Sequence, residues 1–259
     1  MTTFNNLKTC WDRLSQEDPL WAILSQEDKK GGKWNLDDFL LTGQETVASY
    51  HSLLASLVGI PSHFDHILDF GCGIGRLTLS WKQYARLVTG TDISETMINQ
   101  ARQLSANIPG LDYTWNPNPN LSIFPSSSFD LVFSHICLQH IPWPMTYVYL
   151  REFSRICRPE GYVVFQLPSK SIIDQSASRT RRWLIDHLPF GLDRAYRSWR
   201  RGTSTVFDMH FTPVKEVITA CRSFELQDRL LKYDESAGSQ TEGYIYVFQK
   251  TKRTRFDAA

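Results

Sequence analysis

No stretch of the 259-residue sequence approaches the ~18 consecutive apolar residues needed to cross a bilayer, so no membrane span is expected. The N-terminus, MTTFNNLKTCWDRL, has no basic segment leading into an apolar run, so a secretory signal is not expected either. Five cysteines (Cys10, Cys72, Cys137, Cys157 and Cys221) are an odd number without a CxxC pair, which fits reduced cytoplasmic thiols better than a disulfide framework or a zinc site. No spacing of His, Cys, Asp and Glu suggests a metal. Net charge is only +1, which argues against a surface built throughout for nucleic acid. LSQED occurs at 14–18 and 24–28, but a repeat architecture needs a third copy. These absences leave a soluble cytoplasmic chain with neither metal nor membrane.

What is present is an aromatic share of 13%, including eight tryptophans, enough to wall a pocket or a lid as well as a core. The length suits one large α/β domain with an appendage. Residues 1–60 read as helical; Pro19 divides two helices, GGKW (31–34) reads as a flexible hinge, and Asn35 is the expected N-cap of the helix that follows. From residue 66 short apolar strands alternate with helices, the pattern of βαβ units and a parallel sheet covered on both faces. HILDFG, LVTGTD, LDYTWN, FDLVFSHI and YVVFQLP are the strands, and Ser94 is the N-cap expected after the second. Residues 169–204 interrupt the rhythm with a polar stretch holding seven arginines between Arg179 and Arg201. A helix, PVKEVITACRS, and two late strands (224–233 and 242–250) follow, the strands expected as an antiparallel pair at the sheet edge.

The most informative stretch is ILDFGCGIGRLTLSW (67–81), a strand ending in glycines at every second position, Gly71, Gly73 and Gly75, before a helix. Such a turn lets a ligand lie against bare backbone. A dinucleotide fingerprint needs a third glycine at the sixth position of the motif, where this sequence has Arg76. Asp69, two residues ahead of the turn, would repel a pyrophosphate and attract an ammonium group. The expected ligand therefore carries a positive amino end and no phosphates.

ILDFGCGIGRLT, TGTDIS, SSSFDLVFSHICLQHIP and RICRPEGYVVFQLP, in that order, resemble the successive motifs of the class I S-adenosylmethionine-dependent methyltransferases over residues 60–168, and the late strands extend the likeness to about residue 250. DPLWAILS and GGKWNLDDFLLTG resemble the opening segment of a bacterial group of small-molecule methyltransferases. The resemblance implies a Rossmann-like fold: a mostly parallel seven-stranded sheet with helices on both faces, an antiparallel strand at the edge, a helical N-terminal lid (1–60), and a transferase domain (61–259) with an inserted lid (169–210). It implies S-adenosylmethionine as cofactor and S-adenosylhomocysteine as product. Gly71, Cys72, Gly73 and Gly75 would pass under the methionine portion, with Asp69 facing its amino group. Asp92, 17 residues after Gly75, would take the ribose hydroxyls. Ile93 and Met97 would wall the adenine. Asn118 falls where the family often has an Asp on the adenine amino group, and Ser134 would end the fourth strand beside the reactive methyl.

His140, after the fourth strand, is the leading general-base candidate, with His210 second; His135 is expected to pack. Trp34, Phe39, Tyr50, Trp183, Tyr196 and Trp199 are candidates to line the acceptor pocket. The expected activity is transfer to O or N of a small-molecule metabolite, weighed against two alternatives. A nucleic-acid methyltransferase would use the arginine run for phosphate contacts, but a near-neutral composition and SHICLQHIPW in place of an Asp/Asn-Pro-Pro-aromatic motif speak against it. A non-catalytic cofactor binder would show a damaged glycine turn or a lost ribose acid, and both are intact.

Overall fold

A computed structural model describes residues 4–172, 208–238 and 240–252. Three helices open the chain: α1 (Phe4–Glu17), α2 (Pro19–Ile23) and α3 (Leu36–Leu57). Asp18 caps α2, with Pro19 in its first turn, where the missing N–H costs nothing. Asn35 caps α3 as expected, its side chain accepting from the Asp38 amide at 3.1 Å. The GGKW segment is a defined turn rather than a free hinge: the Gly31 and Gly32 amides both donate to the Asp18 carboxylate, at 2.8 and 2.9 Å.

The sheet consists of β1 (Phe64–Phe70), β2 (Ala85–Asp92), β3 (Leu111–Trp115), β4 (Phe129–Ser134), β5 (Cys157–Ser171), β6 (Leu226–Asp234) and β7 (Thr241–Lys250), in the order β3-β2-β1-β4-β5-β7-β6. Strands β1 to β5 pair in parallel, whereas β7 runs antiparallel to both β5 and β6. The antiparallel pair thus forms one end of the sheet, with β6 outermost. The connecting helices are α4 (Arg76–Trp81), α5 (Glu95–Leu104, capped by Ser94), α6 (Trp143–Ile156) and α7 (Val214–Ser223).

Strand β4 is buried at every position, its centre at Leu131, Val132 and Phe133 apolar and its Asp130 satisfied by the His66 amide and Arg158. Phe153 of α6 and Val217 of α7 pack on one face of the sheet, with Val132, Phe165 and Phe248. Val47 and Leu54 of α3 and Leu77 and Trp81 of α4 pack on the other, with Ile67, Phe133 and Val164. Helix α3 approaches α4 closely at Gly43, where a Cβ would lie 2.4 Å from the Arg76 carbonyl oxygen. Among the described residues no helix is long and apolar enough to cross a membrane.

Candidate active site

Strand order reverses between β1 and β4, and open α/β sheets place ligands at the carboxyl ends of the strands beside such a reversal. A cleft opens there, with about 960 Å³ of empty space including its mouth. Its floor is the glycine turn. Gly71 has φ +75°, and a Cβ on it would come within 2.2 Å of the Cys137 sulfur. Such a backbone lets a ligand approach closely where any side chain would fill the space.

Two carboxylates flank this turn. Asp69 is 1% exposed, its Oδ2 accepting from the Thr78 hydroxyl at 2.6 Å. Burial pushes its carboxyl up to about 6, against the opposing pull of Thr78 and Arg76. Asp92 accepts from the Gly73 amide through Oδ2 and from the Ser94 amide through Oδ1, both at 2.9 Å. Burial raises this carboxyl too, and the amide bonds oppose the rise. The turn-capping role of Asp92 thus coexists with its place on the cleft wall, since each oxygen keeps a second lone pair.

Of the residues singled out for the cofactor, Asp69, Gly71, Cys72, Gly73, Asp92, Ile93 and Met97 line the cleft. Three do not. Gly75 caps α4 and packs on the Tyr113 hydroxyl. Ser134 turns its hydroxyl onto the Phe70 carbonyl at 3.1 Å and is buried between strands. Asn118 is displaced by two positions: Asn116 lines the cleft instead, its side chain accepting from the Asn118 amide and donating to the Asn120 carbonyl. Motif spacing had no means of finding this, because the loop is shaped by α6. There Glu152 accepts from the Leu121 amide, and Arg155 donates to the Leu121 and Phe124 carbonyls.

The other wall carries His140, His135 and the strained residue Ile136, whose φ of +48° is uncommon for a β-branched residue and costs of order 1–3 kcal/mol. His140 Nδ1 donates to the Asp208 carbonyl at 3.2 Å, which can only accept, so Nε2 carries the lone pair, with the Gln139 amide nitrogen 3.1 Å away. Burial lowers its pKa to about 4. His135, expected only to pack, lines the cleft while Nδ1 meets the Tyr50 hydroxyl at 3.0 Å; burial holds it down to about 3. His210 stands beside this wall rather than in it, its amide donating to the Gln139 carbonyl at 2.7 Å.

Helices α1 and α2 close the cleft with Leu7, Trp11, Ala22 and Ile23, none of which the sequence had singled out. The only hint was amphipathicity near the N-terminus. Trp34, Phe39 and Tyr50, expected on the acceptor side, lie away from the cleft. Trp34 donates to the Leu24 carbonyl and packs on Phe39, which is fully buried; Tyr50 is buried against Phe133 and reaches the cleft only through His135. Aromatic side chains in lid helices bury large areas, and here these three were spent on packing. Trp183, Tyr196 and Trp199 lie outside the described residues.

The cleft thus combines a bare-backbone cradle, two acidic groups and a buried arginine, Arg76, whose Nε has no partner. A nucleoside with an amino-acid tail fits that donor set, and a dinucleotide does not. Residues 68–165 match the family model described as "Methyltransferase domain". Over 123 residues the chain is 32% identical to a malonyl-[acyl-carrier protein] O-methyltransferase of Erwinia pyrifoliae, covering 46% of this chain and 43% of that protein. Over 107 residues it is 32% identical to a ubiquinone biosynthesis O-methyltransferase of Albidiferax ferrireducens, covering 40% and 42%. The matches therefore span less than half the length of either relative. Magnesium protoporphyrin IX methyltransferase of Synechocystis, solved with bound S-adenosylhomocysteine, shares the fold at a TM-score of 0.63 and 14% identity, over 95% of this chain and 99% of that one. Motifs, fold and family model agree on a methyltransferase domain of the class I S-adenosylmethionine-dependent kind over residues 68–165.

Proposed function

We propose that the protein transfers the methyl group of S-adenosylmethionine to an oxygen or nitrogen of a small-molecule metabolite by in-line displacement. The observation that carries this reading is the roofed cleft. Acidic and glycine residues suited to the donor line it beneath Ile23, which packs over Gly73, and Trp11 meets the His140 ring edge-on at 5.4 Å. When bound, the cofactor supplies a methyl group on a sulfonium with a neutral leaving group, so the chain's task is alignment and exclusion of water. Asp69 would hold the amino group and Asp92 the ribose hydroxyls. Ile93, Met97 and Asn116 would border the adenine.

In this reading residues 1–60 act as a lid and 61–259 as the transferase domain, with 169–210 completing the acceptor side. His140 is the candidate general base. Its Nδ1 proton is held by the Asp208 carbonyl, so its Nε2 lone pair, which the Gln139 amide meets at 3.1 Å, would take the proton of a hydroxyl acceptor that displaces that amide. At neutral pH its low pKa keeps it in the unprotonated form this role requires, though as a weak base. The named relatives carry O-methyltransferase activities, which makes oxygen the first acceptor to test.

Calorimetry with S-adenosylhomocysteine tests the donor half directly. The wild type is expected to bind, and Asp92→Ala to bind at least about 10-fold more weakly, the scale of one lost hydrogen bond to a charged group. Absence of binding by the wild type would remove the proposal.

A further inference from the structure

Arg76 begins α4 immediately after the glycine turn, yet it is only 3% exposed. Arginine is rarely buried this far without a carboxylate partner. Here it forms no ion pair with any carboxylate among the described residues. Its Nη1 donates to the Thr42 and Thr46 hydroxyls of α3, at 3.2 and 3.4 Å. Those hydroxyls spend their own protons on the Phe39 and Thr42 carbonyls, so they can only accept from the guanidinium. The ring of Phe39 lies 5.8 Å from the guanidinium carbon and covers one side of it. Nη1 is therefore fixed. Nε is buried without a partner, and no hydrogen bond to Nη2 is formed among the described residues.

Nε and Nη2 form the side-on edge of the guanidinium, the edge that grips a carboxylate with two parallel hydrogen bonds. Arg76 lines the same cleft as Asp69, and the glycine turn lies between them. Asp69 is close enough to feel the arginine's charge without pairing with it. Two buried opposite charges, held apart at the two ends of one turn, match the two ends of an α-amino acid: ammonium on Asp69, carboxylate on Arg76.

We propose that the Nε–Nη2 edge of Arg76, braced by Thr42 and Thr46, is a carboxylate-binding subsite of the cleft, and that its occupant is the α-carboxylate of the cofactor's amino-acid portion. The assignment rests on the donor reading given above. It makes α3 part of the donor site, since Thr42 and Thr46 aim the arginine. It also explains why a bulky cation stands where a dinucleotide site needs glycine.

The test compares S-adenosylhomocysteine with 5′-deoxy-5′-methylthioadenosine, which lacks the amino-acid portion, by calorimetry on wild type, Arg76→Met and Arg76→Lys. Arg76→Met is expected to weaken S-adenosylhomocysteine by about 10- to 100-fold and leave methylthioadenosine within about 2-fold, with Arg76→Lys between. Removing an unpaired buried cation should leave the ligand-free protein at least as resistant to thermal unfolding as wild type, which a merely structural arginine would not. A source in the acceptor would appear differently. S-adenosylhomocysteine affinity would be unchanged, while malonate would bind the S-adenosylhomocysteine-loaded wild type and not Arg76→Met; that outcome keeps the subsite and overturns the cofactor as its occupant. If Arg76→Met changes neither ligand, there is no subsite. If wild type binds neither nucleoside, the donor reading itself fails.

Discussion

At the residue scale the cleft depends on what is missing from Gly71 and on what Asp92 does twice. The Gly71 backbone is left-handed at φ +75°, and the space its Cβ would occupy is already bordered by the Cys137 sulfur. Gly71→Ala combines a strained backbone, costing roughly 1–3 kcal/mol, with a methyl group in the cradle. It should lower the urea midpoint and abolish S-adenosylhomocysteine binding; near-wild-type affinity in calorimetry would show that the ligand does not cross this turn. Asp92 is a different case, because its two oxygens hold the Gly73 and Ser94 amides while lining the cleft. Its acidity and spacing were legible in TGTDIS. Asn118 was misplaced because a loop between two strands carries no periodicity to count along, and the Glu152–Arg155 pair that shapes it is about 30 residues distant.

Among the elements, the N-terminal helices connect sequence to site. Asp18 accepts three amides, from Trp21, Gly31 and Gly32, and so ties the start of α2 to the loop before α3. Ile23 at the end of α2 packs over Gly73, where an added Cβ would be only 2.5 Å from its Cδ1. Asp18→Ala should therefore loosen the roof while the sheet stays intact. We expect a cost of about 1–2 kcal/mol in urea unfolding and S-adenosylhomocysteine affinity several-fold weaker. Unchanged affinity with the same stability loss would uncouple α2 from the cleft. Helix α3 was legible from its cap, and Asn35 caps it as read. What differed was direction: Phe39 and Tyr50 point into packing interfaces, and residue type within a helix cannot tell a core from a pocket.

Over the whole molecule, burial of titratable groups couples the site to stability. His135 and His140 are held down to about 3 and about 4, so as pH falls from 6.5 toward 4 the unfolded chain takes up protons that the folded chain does not. Stability must then fall with pH across that window. Asp69 works in the opposite sense: with its folded pKa raised to about 6, the folded form binds the proton more tightly between 3.8 and 6, and its contribution declines as pH rises there. Asp92, raised by burial as well, acts in the same sense as Asp69, but four histidines held low (His66, His135, His140 and His210) outnumber these two carboxyls. The urea midpoint should be lower at pH 4.5 than at pH 7, and His135→Gln combined with His140→Gln should reduce the difference; an equal difference in the double variant would assign the pH sensitivity elsewhere. The alternating strands and helices that give this sheet were legible because short, mostly apolar segments buried on both faces, such as Ile67 and Leu68 in β1 and Leu131, Val132 and Phe133 in β4, recur between helical stretches. By itself the sequence determined the α/β architecture, the glycine turn and the acid on either side of it, all set by local pattern and contiguous spacing. Tertiary structure alone decided that Arg76 is buried with one edge unpartnered, that Asn116 rather than Asn118 lines the cleft, and that Leu7, Trp11, Ala22 and Ile23 are the N-terminal residues that meet it. Those facts depend on which distant surfaces exclude water from one another, and no local spacing records that.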